Sequence, residues 1–168
     1  MSDYLSYIEE WVYRNPAAGE EQRPRFLLTT LDNPGWRIDI NLRDTELETL
    51  ELHLPLIEMS EHNWHSARAR DHVLYMPGGP WNLFDLLEIF RRLAESRGAP
   101  LPDLDIVPGS AREEPPGLLS WLAGYFIYHC NGDWKHDWTF LIQSIPGPAW
   151  EMEFYLEGTV VWDLEFET

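Results

Sequence analysis

The chain has 168 residues, 44% of them hydrophobic, which is enough for one sizeable core, or for one full domain with a smaller one leaning on it, and excludes a disordered chain. Its 29 Asp and Glu against 12 Lys and Arg give a formal net charge of -17, which excludes nonspecific attraction to nucleic acid or to anionic lipid and favours a basic partner, although acidity also serves solubility alone. The single cysteine, Cys130, excludes an internal disulfide and a cysteine-rich zinc site; with an acidic rather than basic N-terminus and no apolar run of roughly 18 to 20 residues, a cytoplasmic protein with no membrane contact is expected.

Tyr4, Ile8, Trp11 and Val12 fall at helical spacing and predict an opening helix. Strands are predicted over 25–31 and 36–42, joined by Asp32-Asn33-Pro34-Gly35, a sequence that breaks regular structure and favours a turn. Further strands are predicted near 49–58 and 73–76. A second helix follows, with Asn82 as its cap, Asp85 in its first turn, Leu83, Leu86, Leu87 and Phe90 as its apolar stripe, and Gly98 at its end. Residues 98–117 hold five of the thirteen prolines and read as a linker, in which Leu101, Leu104, Ile106 and Val107 are able to pack on the surface. Beyond it, Leu118, Leu122, Tyr125 and Phe126 repeat the first helical pattern, and strands over 138–145 and 150–156 flank Pro146-Gly147-Pro148-Ala149.

That recurrence is an internal repeat. Residues 4–54 laid over 118–168, at a constant offset of 114 and without a gap, pair Leu5 with Leu119, Ser6 with Ser120, Phe26 with Phe140, Leu27 with Leu141, Pro34 with Pro148 and Trp36 with Trp150. Between the identities, apolar positions meet apolar positions, which makes duplication the better account. The expected fold class is α+β: an antiparallel sheet with helices packed on one face, made of a complete unit over 1–97, a Pro-rich linker over 98–117 and a partial repeat over 118–168 docked on the first unit.

Three stretches carry a family resemblance. Asn131-Gly132-Asp133-Trp134-Lys135-His136 follows the second copy's helix, Leu31-Asp32-Asn33-Pro34-Gly35-Trp36 forms the first copy's turn, and Gly78-Gly79-Pro80-Trp81-Asn82-Leu83 leads into the closing helix. In order and spacing they resemble the immunity protein 53 family of bacterial polymorphic-toxin systems, over roughly 4–96 and again 118–160. The first copy departs from the pattern with Ala18-Gly19-Glu20-Glu21-Gln22 where Gly-Asp-Trp-x-His would stand, and the second lacks Asp-Asn before its proline. The resemblance implies stoichiometric binding of a cognate toxin without catalysis.

The residues agree with a binding role. No Gly-rich phosphate loop, nucleophile elbow or His-Glu-x-x-His motif is present, so no cofactor and no metal are expected. Glu151 and Glu153 alternate with Met152 and Phe154, and Asp163, Glu165 and Glu167 with Leu164 and Phe166, so period two puts each acidic set on one face of its strand. No Lys or Arg follows Lys135. If the strands pair, these carboxylates form a patch suited to a basic toxin surface; the same pattern also describes an ordinary solvated sheet face that resists edge aggregation. Asp133, Trp134 and His136 of the loop, with Asp32 and Asn33 of the turn, complete the expected partner-binding set.

Other clusters read more simply as structure. His129, Cys130, Asp133 and His136 carry zinc-ligand chemistry, but a helix end followed by a loop commonly carries such groups for capping. His62, His65 and His72 lack ligand spacing and read as surface residues, while Trp36 and Trp150 read as core residues covering each turn. A non-catalytic scaffold module and a metal-dependent enzyme built on His129 to His136 are the rival readings.

Overall fold

The computed structural model describes residues 3–16, 23–99, 104, 106–110, 117–129, 140–147 and 149–155. In chain order these form α1 (Tyr4–Arg14), β1 (Phe26–Leu31), β2 (Gly35–Asn41), β3 (Leu52–Ser60), β4 (Asn63–Arg70), β5 (Val73–Gly78), α2 (Leu83–Glu95), α3 (Leu118–His129), β6 (Phe140–Ile145) and β7 (Ala149–Phe154). The strands make one seven-stranded sheet in the order β3-β4-β5-β2-β1-β6-β7, with every pairing antiparallel. The fold is α+β, as expected.

Alternation decides which face the helices cover. Phe26 and Leu28 of β1, Trp36, Ile38 and Ile40 of β2, and Leu74 and Met76 of β5 all point one way and are buried. Onto them α2 sets Phe90, whose ring also meets Trp11 of α1 edge-on at 5.0 Å and Phe26 at 6.5 Å. Phe126 of α3 packs on Trp36 at 4.5 Å. The sheet is therefore covered on one side by three helices, and Leu27, Arg37, Asp39, Tyr75 and Arg68 stand on the other.

The helix ends follow from local chemistry. Asp3 Oδ1 accepts the Ser6 N–H at 2.7 Å, which caps α1 and holds the Asp3 carboxyl below its usual value. At the end of α2, Arg97 and Gly98 both take left-handed backbone, φ 52° and 74°, and stop the helix where glycine predicted it.

The repeat is visible in the strands. Shifting β1 by 114 residues gives β6, and shifting Gly35 gives the first residue of β7, Ala149. The two copies meet along β1 and β6, where Leu27 pairs with Gln143, Leu28 with Ile142 and Thr29 with Leu141. Ile142 is the repeat equivalent of Leu28, so the register places a pseudo-two-fold axis at that pair. Contacts around the axis come in matched halves. The Phe26 N–H donates to Ser144 Oγ at 3.1 Å, and the Phe140 N–H donates to Thr30 Oγ1 at 3.2 Å. Likewise Trp150 meets Phe26, and Trp36 meets Phe140, each at 6.0 Å. The helices break the symmetry: Tyr4, Tyr7 and Trp11 of α1 lie on α2, whereas Trp121, the α3 equivalent of Tyr7, is 58% exposed and stacks on Tyr125 at 5.2 Å.

Three expectations need correction. Strand β4 was absent from the sequence reading: its inward residues, His65, Ala67 and Ala69, are small or polar and do not give the apolar alternation of a typical strand. Its hairpin to β5 turns on Asp71 and His72, both at positive φ (52° and 62°), without the glycine that usually marks such a turn. His65 is no surface residue; it is 1% exposed, with Nε2 2.7 Å from the Ile106 carbonyl oxygen. Asn82 precedes α2 but its side chain does not cap it. Instead Asn82 Oδ1 accepts the Trp64 N–H at 2.9 Å while Nδ2 donates to Asn63 Oδ1 and Asp85 Oδ2, each at 2.7 Å. Of the apolar residues in the linker, Leu104 and Ile106 are buried, Val107 is exposed, and Leu101 lies outside the described residues.

Candidate functional site

Two of the three motif stretches converge at one end of the sheet. Gly35 packs so closely on β5 that an added Cβ would lie 2.4 Å from the Gly78 carbonyl oxygen. Next to it, Trp36 is buried and its Nε1–H donates to the Pro80 carbonyl at 3.0 Å. These glycines and the tryptophan therefore serve to seat the β1–β2 turn against the Gly78 to Asn82 segment. Asp85 Oδ2 extends the join by accepting the Gly109 N–H at 2.7 Å.

What the join presents outward is a mixed apolar and polar surface. Asp32 and Asn33 are exposed on the turn. Trp81 is 55% exposed, its ring 5.7 Å from that of His62, and the exposed Leu56 of β3 lines the same groove as His62. Asn33, Pro34, Leu56, Glu58, His62 and Pro80 line a groove of about 600 Å³ here. An exposed tryptophan among aliphatic side chains with a carboxylate rim has the composition of a protein interface. Sequence reasoning singled out Asp32 and Asn33 and read His62 as a surface residue, but missed Trp81 as an exposed anchor. The signal available was Trp81 itself, which breaks the pattern between two glycines and an apolar helix stripe.

The acidic set is only partly within view. Glu151 and Glu153 are exposed on β7, the outermost strand among the described residues, and both point to the face opposite the helices; Glu151 accepts a hydrogen bond from Gln143. Asp163, Glu165 and Glu167 lie outside the described residues, as do Asp133, Trp134 and His136. Glu153 stands two strands from β1, about 10 Å across the sheet, on the side of the sheet where the Asp32–Asn33 turn projects. In the proposed zinc cluster, His129 sets Nδ1 2.8 Å from the Tyr125 carbonyl oxygen, a local helical contact, and Cys130, Asp133 and His136 lie outside the described residues. Among the described residues no group of three metal-ligating side chains comes together.

The uncovered face also carries a feature absent from the sequence reading. Arg37 and Arg68 bring their guanidinium carbons to 5.0 Å and 4.8 Å from the centre of the same ring, Tyr75. Asp39 holds Arg37 through paired hydrogen bonds, which raise the Arg37 pKa above its ordinary value. The signal was the alternation of Arg68 and Arg70 with Ala67 and Ala69, period two on a strand that was not recognised.

With this geometry in hand, comparison with known families is decisive. The family model for immunity protein 53 matches residues 5–95 and 119–168. The chain belongs to that family. The two matched segments fit one full copy and a partial second one, as the repeat indicated. No curated protein and no solved structure matches the chain. Among the described residues, no helix of this family member is long and apolar enough to cross a membrane.

Proposed function

We propose that this protein is a cytoplasmic, non-catalytic inhibitor that neutralises a cognate bacterial toxin by stoichiometric binding. Membership of the immunity protein 53 family carries the reading. The surface around Asp32, Asn33 and Trp81 supports it, because it exposes an aromatic anchor beside polar groups at one end of the sheet. The net charge of -17 and the carboxylates Glu151 and Glu153 favour a toxin with a basic surface. A nuclease is the natural candidate, since an enzyme that grips a phosphate backbone must itself be cationic. Asp163, Glu165, Glu167, Asp133, Trp134 and His136 remain part of the proposed contact set.

The test is co-expression with the product of a neighbouring gene that arrests growth when expressed alone. Relief of growth arrest, recovery of an equimolar complex and loss of nucleic-acid cleavage by the purified toxin are expected. Continued arrest in cells that hold the soluble protein would overturn the reading.

A further inference from the structure

The sheet face that no helix covers among the described residues separates charge in a way that a uniformly acidic chain would not. Of the 12 basic residues, four, Arg23, Arg37, Arg68 and Arg70, line a single groove of about 580 Å³ that runs across β4, β5, β2 and the start of β1. The basic residues elsewhere in the fold are largely spent on structure: Arg25 is buried and donates to four backbone carbonyls, and Arg91 and Arg92 are held by Glu88. Within the groove, Arg37 is held by Asp39, and Arg70 lies 3.4 Å from Asp71 with both side chains almost fully exposed. Arg23 and Arg68 have no carboxylate partner among the described residues.

The strand register orders these groups into a row. Arg68 is opposite Tyr75, Tyr75 opposite Asp39, Asp39 opposite Leu27, Leu27 opposite Gln143 and Gln143 opposite Glu151. One end of the row is cationic and the other anionic. At the cationic end, two guanidiniums share the Tyr75 ring, so like charges are held near each other and oriented by stacking before any ligand arrives. Arg37 is already paired with Asp39, so an incoming carboxylate meets the planar donors of Arg68, oriented in advance by the Tyr75 ring, which lowers the ordering cost of binding.

We infer that this groove is a docking site for an acidic segment of a protein partner, with Arg68 and Arg23 receiving its carboxylates and Tyr75 supporting its backbone. The groove's lining spans four neighbouring strands, with Leu27 and Val73 in its wall, so it suits an extended chain with alternating side chains better than a small ion. Its chemistry is opposite to that of the proposed basic toxin contact, and it stands whether or not the toxin reading does.

The probe is a hexaglutamate peptide blocked at both ends, titrated into the whole protein at low salt while arginine Nε and tyrosine ring signals are followed by NMR. The net charge of -17 repels such a peptide from most of the surface, so saturable binding must be local. The expected result is saturable shifts at Arg68, Arg23 and Tyr75, lost as salt rises. Arg68→Gln with Arg23→Gln should weaken the affinity about tenfold, with an unchanged melting temperature because both side chains are exposed. Tyr75→Leu, which keeps the arginines and removes their platform, should weaken it as well. Shifts confined to other surfaces, no saturable shift, or an unaltered affinity in the double variant would overturn the inference. So would inorganic phosphate producing the same shifts at the same concentration, because the groove would then be a site for a free anion.

Discussion

Leu28 lies directly opposite Ile142 across the β1–β6 pairing, and Ile142 is the residue that holds Leu28's place in the second copy. A register centred on equivalent residues is what two identical strands adopt when they pair about a two-fold axis. The second copy thus takes the position that another subunit would take in a symmetric dimer.

A fragment ending at residue 99 should therefore dimerise. Without β6, the β1 edge is open and its own sequence fits the vacated register, with Leu28 meeting Leu28. Light scattering after gel filtration should give twice the fragment mass, and a folded monomer at all concentrations would count against the symmetric account.

Residues 118–168 expressed alone should not fold cooperatively. The buried side of α3 and the inner face of β6 find their cover on Trp36 and β1 of the first copy, and few strands with one helix bury little surface. A sigmoidal thermal transition in the isolated fragment would contradict this.

Glu88 should make stability depend on acid pH. Burial pushes its carboxyl up, but hydrogen bonds from Arg91, Arg92 and Tyr4 outweigh that and bring its pKa from 4.5 down to about 2. Because the folded value is the lower one, the contribution is complete above the unfolded value and is lost as pH falls through the folded one. Glu88→Gln should cost about 2 kcal/mol at neutral pH and progressively less between about pH 4.5 and 2. Urea titrations of both proteins at pH 7 and pH 3 measure the difference; an equal gap at both would refute it.

Gly35→Ala should destabilise by about 2 kcal/mol or more, since its Cβ would meet the Gly78 carbonyl oxygen, a backbone atom that cannot rotate away. The melting temperature reports this directly. A stability equal to the parent would mean that the turn and β5 separate freely.

Trp81→Ala should leave folding intact and weaken toxin binding, chiefly by faster dissociation, because the ring is largely in solvent and contributes little to the core. Replacing Glu153, Asp163 and Glu165 by Lys should instead slow association and reduce its salt dependence. Stopped-flow rates at two salt concentrations separate the two effects, and unchanged rates in both variants would place the contact elsewhere.

Much of the fold was legible because its signals were local or periodic. The 114-residue offset, the Asp32 to Gly35 turn and the stripe of α2 each follow from spacing alone, and β1, β2, β6 and β7 begin within two residues of where the pattern put them. Strand β4 was hidden because its inward positions hold two alanines and a histidine, the histidine set against the Ile106 carbonyl, while its outward arginines resemble a solvated loop. The candidate surface was half legible: Asp32 and Asn33 stood in a motif, whereas Trp81, His62 and Leu56 come together only through β3–β4 pairing and the turn of chain before α2, which no local pattern encodes.

The pseudo-two-fold sheet has a consequence for behaviour at low abundance. A dimer joined along β1 would separate on dilution, because its stability is inseparable from subunit concentration. Here the second strand is tethered to the first and meets it at an effective concentration on the order of millimolar, whatever the number of molecules in the cell. A handful of copies then keeps the sheet as whole as a concentrated solution does, so the fold of the chain does not depend on how much of it accumulates.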